Sequence, residues 1–422
     1  MKNKTLISQF FLSTLISLYA FNLYASENFN IKQIREFHDS ILTIDTHIDI
    51  PTNFATSEYD PMVRSKPTQK FHLHTMAEGG LDAVFLVVYA QQRKRELVNY
   101  SKSISESFLR FHAIHKLTKK LHPDKIGLAL SSNDIIRLNN ENKKIALIGI
   151  ENGFPIGKNL TLLETFYDYG ARYFGFLHDG HNDLGDSARP QERLNDPKEE
   201  HKGLSELGEK AVKKLNQLGI ILDISHSSEQ TSIDILNLSR TPVIASHSGV
   251  DGILDHPRNM SDKELFALKE NNGVIQIVAF GSYLSEPTET RVRAINNLKK
   301  SLGYKDSENV SNFTQKDIKA FYQELENINN RFPSASVSDL VNHIDYVVKT
   351  IGINHVGISS DFNGGGGIKG WNDPSETPNI TIELFKRGYS KNEIIKIWGG
   401  NFLRVFRDVE KYSEKWKKTN EG

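Results

Sequence analysis

Ile220-Ile221-Leu222-Asp223-Ile224-Ser225-His226 is a short, β-branched apolar run that ends on a histidine. Val243-Ile244-Ala245-Ser246-His247 and Ile41-Leu42-Thr43-Ile44-Asp45-Thr46-His47 repeat the pattern. Ile145-Ala146-Leu147-Ile148-Gly149-Ile150-Glu151 and Val356-Gly357-Ile358-Ser359-Ser360-Asp361 end on carboxylates instead. Continuous apolar runs of this length read as strands buried on both faces, the mark of a parallel sheet. Metal-type ligands collected at strand ends from distant positions imply one site on one rim of that sheet.

Working outward, eight strands are predicted in order, at residues 41–47, 81–89, 144–151, 171–178, 219–226, 242–247, 273–280 and 355–361. Helical periodicity fills most of the gaps, at 101–121, 204–218, 231–238 and 262–269, and again at 391–404. Gly219 stands where the second of these helices should stop. Alternating strand and helix builds right-handed βαβ units, and eight of them make a (β/α)8 TIM barrel. A doubly wound open sheet would carry a glycine-rich phosphate turn after its first strand, and Asp45-Thr46-His47-Ile48-Asp49 is nothing like one. The longest insertion, with helical patterns at 291–302, 314–329 and 337–351, separates strands seven and eight.

The chain has 422 residues, 38% of them hydrophobic, enough for a large core. Lys+Arg and Asp+Glu both number 52, which gives no bulk electrostatic case for nucleic acid or an anionic membrane. With no cysteine, disulfides, thiolate nucleophiles and Cys-ligated metals are excluded. Any transition-metal site must use His, Asp and Glu. Residues 1–25 have the order of a secretory signal: Lys2 and Lys4, an apolar stretch to Leu23, then Tyr24-Ala25-Ser26. Cleavage after Ala25 would release an exported, periplasmic or secreted protein, with residues 26–422 forming the single barrel domain and no stable membrane insertion.

His47 and Asp49 are two apart, so an extended backbone sends both side chains to one face. Glu151, His226, His247 and Asp361 occupy equivalent positions on other strands, and barrel strand ends converge on one mouth. Three histidines and two carboxylates suffice for two divalent ions sharing a bridging carboxylate and water. Hydroxide between the ions could attack a carbonyl resting on one of them, with Asp361 as the spare acid that relays the proton.

Several motifs together resemble the membrane (renal) dipeptidase family. They are Asp45-Thr46-His47-Ile48-Asp49-Ile50-Pro51, the Glu151 strand end, Asp223-Ile224-Ser225-His226-Ser227, Ala245-Ser246-His247-Ser248, His256-Pro257-Arg258-Asn259, Gly357-Ile358-Ser359-Ser360-Asp361-Phe362 and Gly399-Gly400-Asn401-Phe402-Leu403-Arg404-Val405-Phe406. The resemblance spans essentially the whole mature chain and implies an amidohydrolase-type barrel that cleaves dipeptides with two Zn2+ per chain, often as a homodimer. It assigns His47 and Asp49 to one zinc, His226 and His247 to the other, and Glu151 as the bridge. It also makes His178 the histidine that steadies the tetrahedral intermediate, Arg258 the arginine that grips the substrate near its carboxylate, and Asp361 the acid/base. The chain departs from the family with Ile48 in its first motif, Asn152 after Glu151, and Asn363 where aspartate is common. None of these removes a ligand, so they bear on substrate preference.

The expectation is therefore an exported zinc dipeptidase acting on small dipeptides by attack of a metal-bridging hydroxide. The rivals are an N-acyl amino acid deacylase or lactam/ester hydrolase on the same centre, and a non-catalytic binding relative. His181 competes with His178 but is expected out on a loop. His72, His74, His112, His115, His201 and His343 read as solvated surface, and His256 as a turn residue. Gly364–Gly367 reads as a flexible loop at the mouth, Trp371 and Trp398 as packing, and Ser227 and Ser248 as helix caps or donors to ligands.

Overall fold

The computed structural model describes residues 30–64, 69–307, 310 and 313–420. The expected secretory signal at 1–25 lies outside them. Among the described residues ten parallel strands form: β1 (Ile44–Asp49), β2 (Ala83–Tyr89), β3 (Ile126–Leu128), β4 (Lys144–Glu151), β5 (Ala171–Gly175), β6 (Ile221–Asp223), β7 (Ile244–Val250), β8 (Asn259–Met260), β9 (Val274–Val278) and β10 (Val356–Ser359). Eight of them run in the order β1-β2-β4-β5-β6-β7-β9-β10, while β3 and β8 attach to the sides of β4 and β7. The last strand returns to the first at one end: Asp49 N–H donates to Phe362 O (3.0 Å) and Asp361 N–H to His47 O (3.0 Å). Asp45 reinforces that seam, its Oδ1 accepting from the backbone N–H of His47 (3.1 Å) and Ser360 (2.9 Å). The predicted (β/α)8 barrel is the observed one.

Alternation along the strands sorts two cores. Ile44, Phe85, Leu147, Tyr173, Ile221, Ile244 and Val274 point into the lumen, whose floor is closed by Phe402, Phe406 and Val409. Residues one position away, such as Val84, Ile148, Leu222 and Ile275, face the surrounding helices. Gly149 is required inside: a Cβ there would fall 2.0 Å from the Tyr173 ring, which crosses the lumen at that level.

The helices start where side chains can cap them. Ser205 caps Glu206–Leu218, Ser228 caps Glu229–Leu238, and Ser261 caps Asp262–Glu270 with Glu264 completing a capping box. Gly219, at φ 84°, ends the first of these, as expected. The predicted helix at 101–121 is longer than read, with Leu97–Lys116 followed by a π turn over Leu117–Leu121. The predicted 391–404 helix divides into Lys391–Ile395, a π turn over Lys396–Gly400 and Asn401–Asn420. The insertion after β9 contains Glu289–Ser301, Gln315–Arg331 and Val337–Thr350, the first two sharing a small core of Leu298, Phe313, Phe321 and Ile328. No helix among the described residues is long and apolar enough to cross a membrane.

Several expectations are corrected. His72 and His343 are fully buried, not solvated; His74, His115 and His201 are half-buried, and only His112 is exposed. His343 ties the insertion to the barrel, with Nδ1 accepting from Val250 N–H (3.1 Å) and Nε2 facing Leu284 O (3.0 Å). Burial on the inner side of an amphipathic helix, with two backbone partners, overrides the polar label. Ser227 caps nothing, because the cap is its neighbour Ser228. Trp371 and Trp398 are packing residues, each sending its indole N–H to a threonine hydroxyl.

Candidate metal centre

The eight strands bring the scattered ligand-type residues to one mouth. His47 and Asp49 lie in β1, Glu151 ends β4, and His247 lies within β7. His178 and His226 each stand three residues beyond their strands, and Asp361 two beyond β10. These last residues end the apolar runs but not the ladders. Past the ladder the backbone can turn, and His226 (φ 69°) and Asp361 (φ 56°) adopt left-handed conformations. Non-glycine residues held there store strain of the kind that aims functional side chains. Asn152 (φ 73°) and Asn363 (φ 64°) do the same with a side chain that tolerates it, which accounts for asparagine at both departures.

Glu151 is the hub. Its Oε2 lies 3.5 Å from His47 Nε2, and its Oε1 lies 3.1 Å from His226 Nε2, 3.3 Å from His247 Nε2 and 3.8 Å from His178 Nε2. Asp49 Oδ1 sits 4.0 Å from His47 Nε2. Three overlapping groups each bring ligand atoms within 4.8 Å of one another: His47, Glu151 and His247; Glu151, His178 and His226; His47, Asp49 and Asp361. A tetrahedral ion with bonds of ~2.0–2.1 Å would separate its ligands by about 3.3 Å, so the spacings suit a shared cation.

The far side of each ring decides what the near side offers. His226 Nδ1 lies 3.3 Å from Asp179 Oδ1. His247 Nδ1 lies 2.8 Å from Ser246 Oγ, whose own hydrogen goes to Asp223 Oδ2 (2.6 Å). An ionised carboxylate and a committed hydroxyl can only accept, so both Nδ1 atoms carry the proton. Both Nε2 lone pairs then face each other at 3.1 Å, beside a carboxylate oxygen. That arrangement is repulsive unless a cation lies among them. His47 Nδ1 is held by Tyr173 OH (3.0 Å), while His47 Nε2 and Asp49 Oδ1 are buried with no hydrogen-bond partner. The residues present therefore fit a metal site, with the outer hydrogen bonds that orient metal-binding imidazoles.

Charge states follow from the same packing. Burial would raise Glu151, but the charge of His47 beside it holds its carboxyl well below the usual range. Burial would lower His47, but Glu151, Asp49 and Asp361 push it up to about 9. Burial, then Glu151, raises Asp49 to about 7. Asp361 is raised well above the carboxylate range by burial, against the pull of His47. His178, lowered to about 3 by burial and His226, is a neutral imidazole. Its ring is 25% exposed and packs against His226 at 4.2 Å and Tyr89 at 4.9 Å.

His181 is excluded from the cluster. Its Nδ1 accepts from Ser187 N–H (3.0 Å) and its Nε2 faces Pro197 O (2.9 Å), so it braces the loop after β5. Arg258 is buried beside a cavity of about 240 Å³ that His226 and Ser227 also line. Its Nη2 donates to His247 O (3.0 Å), its plane lies 5.5 Å from the Tyr283 ring, and its Nε is buried without a partner. The Gly364–Gly367 run is a loop at the mouth, as expected, with Gly364 and Gly365 exposed and its first residue packed against the site. A Cβ on Gly364 would fall 2.2 Å from Asp361 Oδ1 and 2.3 Å from Asp49 Oδ2. Sequence reading missed Tyr173, Asp179, Asp223 and Ser246, the partners behind the histidines. Asp179 and Ser246, adjacent to His178 and His247, carried a local signal.

The chain matches known proteins over most of its length. The family model "Membrane dipeptidase (Peptidase family M19)" matches residues 31–420. Dipeptidase aclJ of Aspergillus oryzae is 31% identical over 341 residues, 79% of this chain and 69% of its own. Dipeptidase tcpJ of Claviceps purpurea is 30% identical over 356 residues, 82% of this chain and 72% of its own. The crystal structure of the probable dipeptidase PvdM from Pseudomonas aeruginosa superposes with a TM-score of 0.81 at 34% identity, covering 90% of this chain and 98% of that one. With the match running from the first described helix to the last, the chain belongs to the membrane dipeptidase family, metal-dependent hydrolases of the peptide bond.

Proposed function

We propose that this protein is an exported dipeptidase that works with two zinc ions. The observation that carries the metal reading is the set of three Nε2 atoms aimed at Glu151 while their Nδ1 atoms are held from behind. His47 and Asp49 would hold one ion with Glu151 Oε2, and His226 and His247 the other with Glu151 Oε1. Zinc bound there supplies Lewis acidity and lowers the pKa of water toward neutrality.

The chain's own residues do the rest. Asp361, grouped with His47 and Asp49 beside Gly364, relays a proton between the attacking water and the leaving nitrogen. His178 is neutral and donates an N–H toward the oxygen that gains charge. Arg258, with a spare buried Nε, receives the substrate's terminal carboxylate. Export is supported by the charged, apolar and small-residue order of residues 2–26.

The test is reconstitution. Protein stripped of metal should regain hydrolysis of dipeptides such as Ala-Ala on adding about two equivalents of zinc, and should turn over N-acetyl amino acids much more slowly. Failure to cleave any dipeptide after zinc is restored would sink the reading.

A further inference from the structure

A separate cavity, about 540 Å³, also reaches the ligand cluster and shares no lining residue with the one beside Arg258. Asp49 and His178 line it, so it begins at the reacting centre; Tyr59, Tyr89 and Arg110 line it as well. With the substrate's carboxylate at Arg258 and its scissile carbonyl at the cluster, the first residue's side chain must extend into this space. The inference thus rests on the dipeptidase reading.

Arg110 is the cationic group in that lining. Its Nε donates to Ile50 O (2.9 Å) and its Nη1 to Glu106 O (3.3 Å), both backbone carbonyls that carry no formal charge. Its guanidinium lies 5.9 Å from the Tyr89 ring centre. Among the described residues no carboxylate comes within 4.0 Å of it. The two nearby acids are engaged elsewhere. Glu106 is gripped by Arg93 Nη2 at 3.0 and 2.9 Å, and Asp49 faces the ligand cluster. A half-buried guanidinium with two fixed bonds is pre-aimed, and its remaining donors suit a planar anion.

We propose that Arg110 selects the first residue of the substrate, so that the enzyme prefers dipeptides beginning with glutamate or aspartate. A glutamine side chain of the same shape offers one acceptor and no charge, so the discrimination is electrostatic rather than steric.

The experiment compares kcat/KM for Glu-Ala, Gln-Ala, Ala-Glu and Ala-Gln with the zinc-loaded wild type and with Arg110→Met. Wild type should favour Glu-Ala over Gln-Ala by about tenfold, the size of one partly desolvated ion pair. The Ala-Glu to Ala-Gln ratio should stay near one. In Arg110→Met the Glu-Ala to Gln-Ala ratio should collapse to one or below. Each ratio is taken within one protein, so incomplete folding or metal loading cancels. A wild-type ratio near one, a ratio that survives the substitution, or a preference expressed at the second position would each overturn the assignment to Arg110. Hydrolysis of Ala-Ala without discrimination defeats this inference alone, whereas no hydrolysis of any dipeptide defeats the underlying function.

Discussion

Gly364 shows how little room the centre leaves. A methyl group there must displace Asp49 or Asp361, because both carboxylate oxygens lie far inside contact distance. Overpacking of this kind costs about 1–3 kcal/mol, which a large barrel can absorb. Catalytic geometry is less forgiving, since a shift of ~1 Å can cost about a hundredfold in rate. Gly364→Ala should therefore fold, melt within a few degrees of wild type, and lose about a hundredfold in kcat on Ala-Ala. An unimpaired kcat would mean the two carboxylates need not stay where they are. Asp361 invites a cleaner substitution. Its φ of 56° is a conformation asparagine accepts, so Asp361→Asn removes the titratable carboxyl without adding backbone strain. Turnover should fall about 10²–10⁴-fold, the scale of general acid–base catalysis, while zinc content by elemental analysis stays at wild-type level. Loss of metal would instead make Asp361 a ligand, which its place beside His47 and Asp49 allows.

At the scale of elements, the barrel is held from its floor as well as its rim. Phe402, at the start of Asn401–Asn420, packs on Phe85 (5.3 Å), and Phe85 packs on Tyr173 (4.7 Å), whose hydroxyl meets His47. Phe402→Ala should cost about 3–5 kcal/mol, read as a lower denaturant midpoint, and weaken zinc retention through Tyr173. Retention equal to wild type would show that the stack does not transmit. The predicted 391–404 span ran across the π turn over Lys396–Gly400 and reached only the first turn of this helix. The eight barrel strands were legible because lumen and outer faces are both apolar, which leaves an unbroken run in the sequence. β3 and β8 leave none: they lie off the barrel order, β3 is only half-buried at Gly127 and Leu128, and β8 is two residues between Arg258 and Ser261. The ligands were legible because each closes a run. Tyr173 and Asp223 were not, since each sits inside a run and earns its role only from distances across the lumen.

For the molecule as a whole, buried neutral histidines make stability fall in acid. Burial lowers His38 and His343 below the ordinary value of 6.5. Each is anchored in its neutral form, His38 between Thr381 Oγ1 (2.7 Å) and Gly79 O (2.9 Å), His343 between Val250 N–H and Leu284 O. The two clamps lie at different places, one joining Ile31–His38 to Pro378–Lys386 and the other joining the insertion to β7. Above pH 6.5 neither folded nor unfolded chain binds a proton at these rings, so they add no pH dependence. As pH falls through 6.5 the unfolded chain takes up a proton at each and the folded chain does not. Stability then declines by up to about 1.4 kcal/mol per pH unit per histidine, until the depressed folded value is reached. Unfolding free energies from urea titrations at pH 7.5, 6.5, 5.5 and 5.0, with chelator present to remove metal linkage, should show this decline. His343→Gln can still accept from Val250 N–H and donate to Leu284 O but cannot titrate. It should be less stable than wild type at pH 7.5, and its slope between pH 6.5 and 5.0 should be shallower by about one proton. Parallel slopes for the two proteins would show that His343 is protonated as readily folded as unfolded, and that its two hydrogen bonds do not hold it neutral.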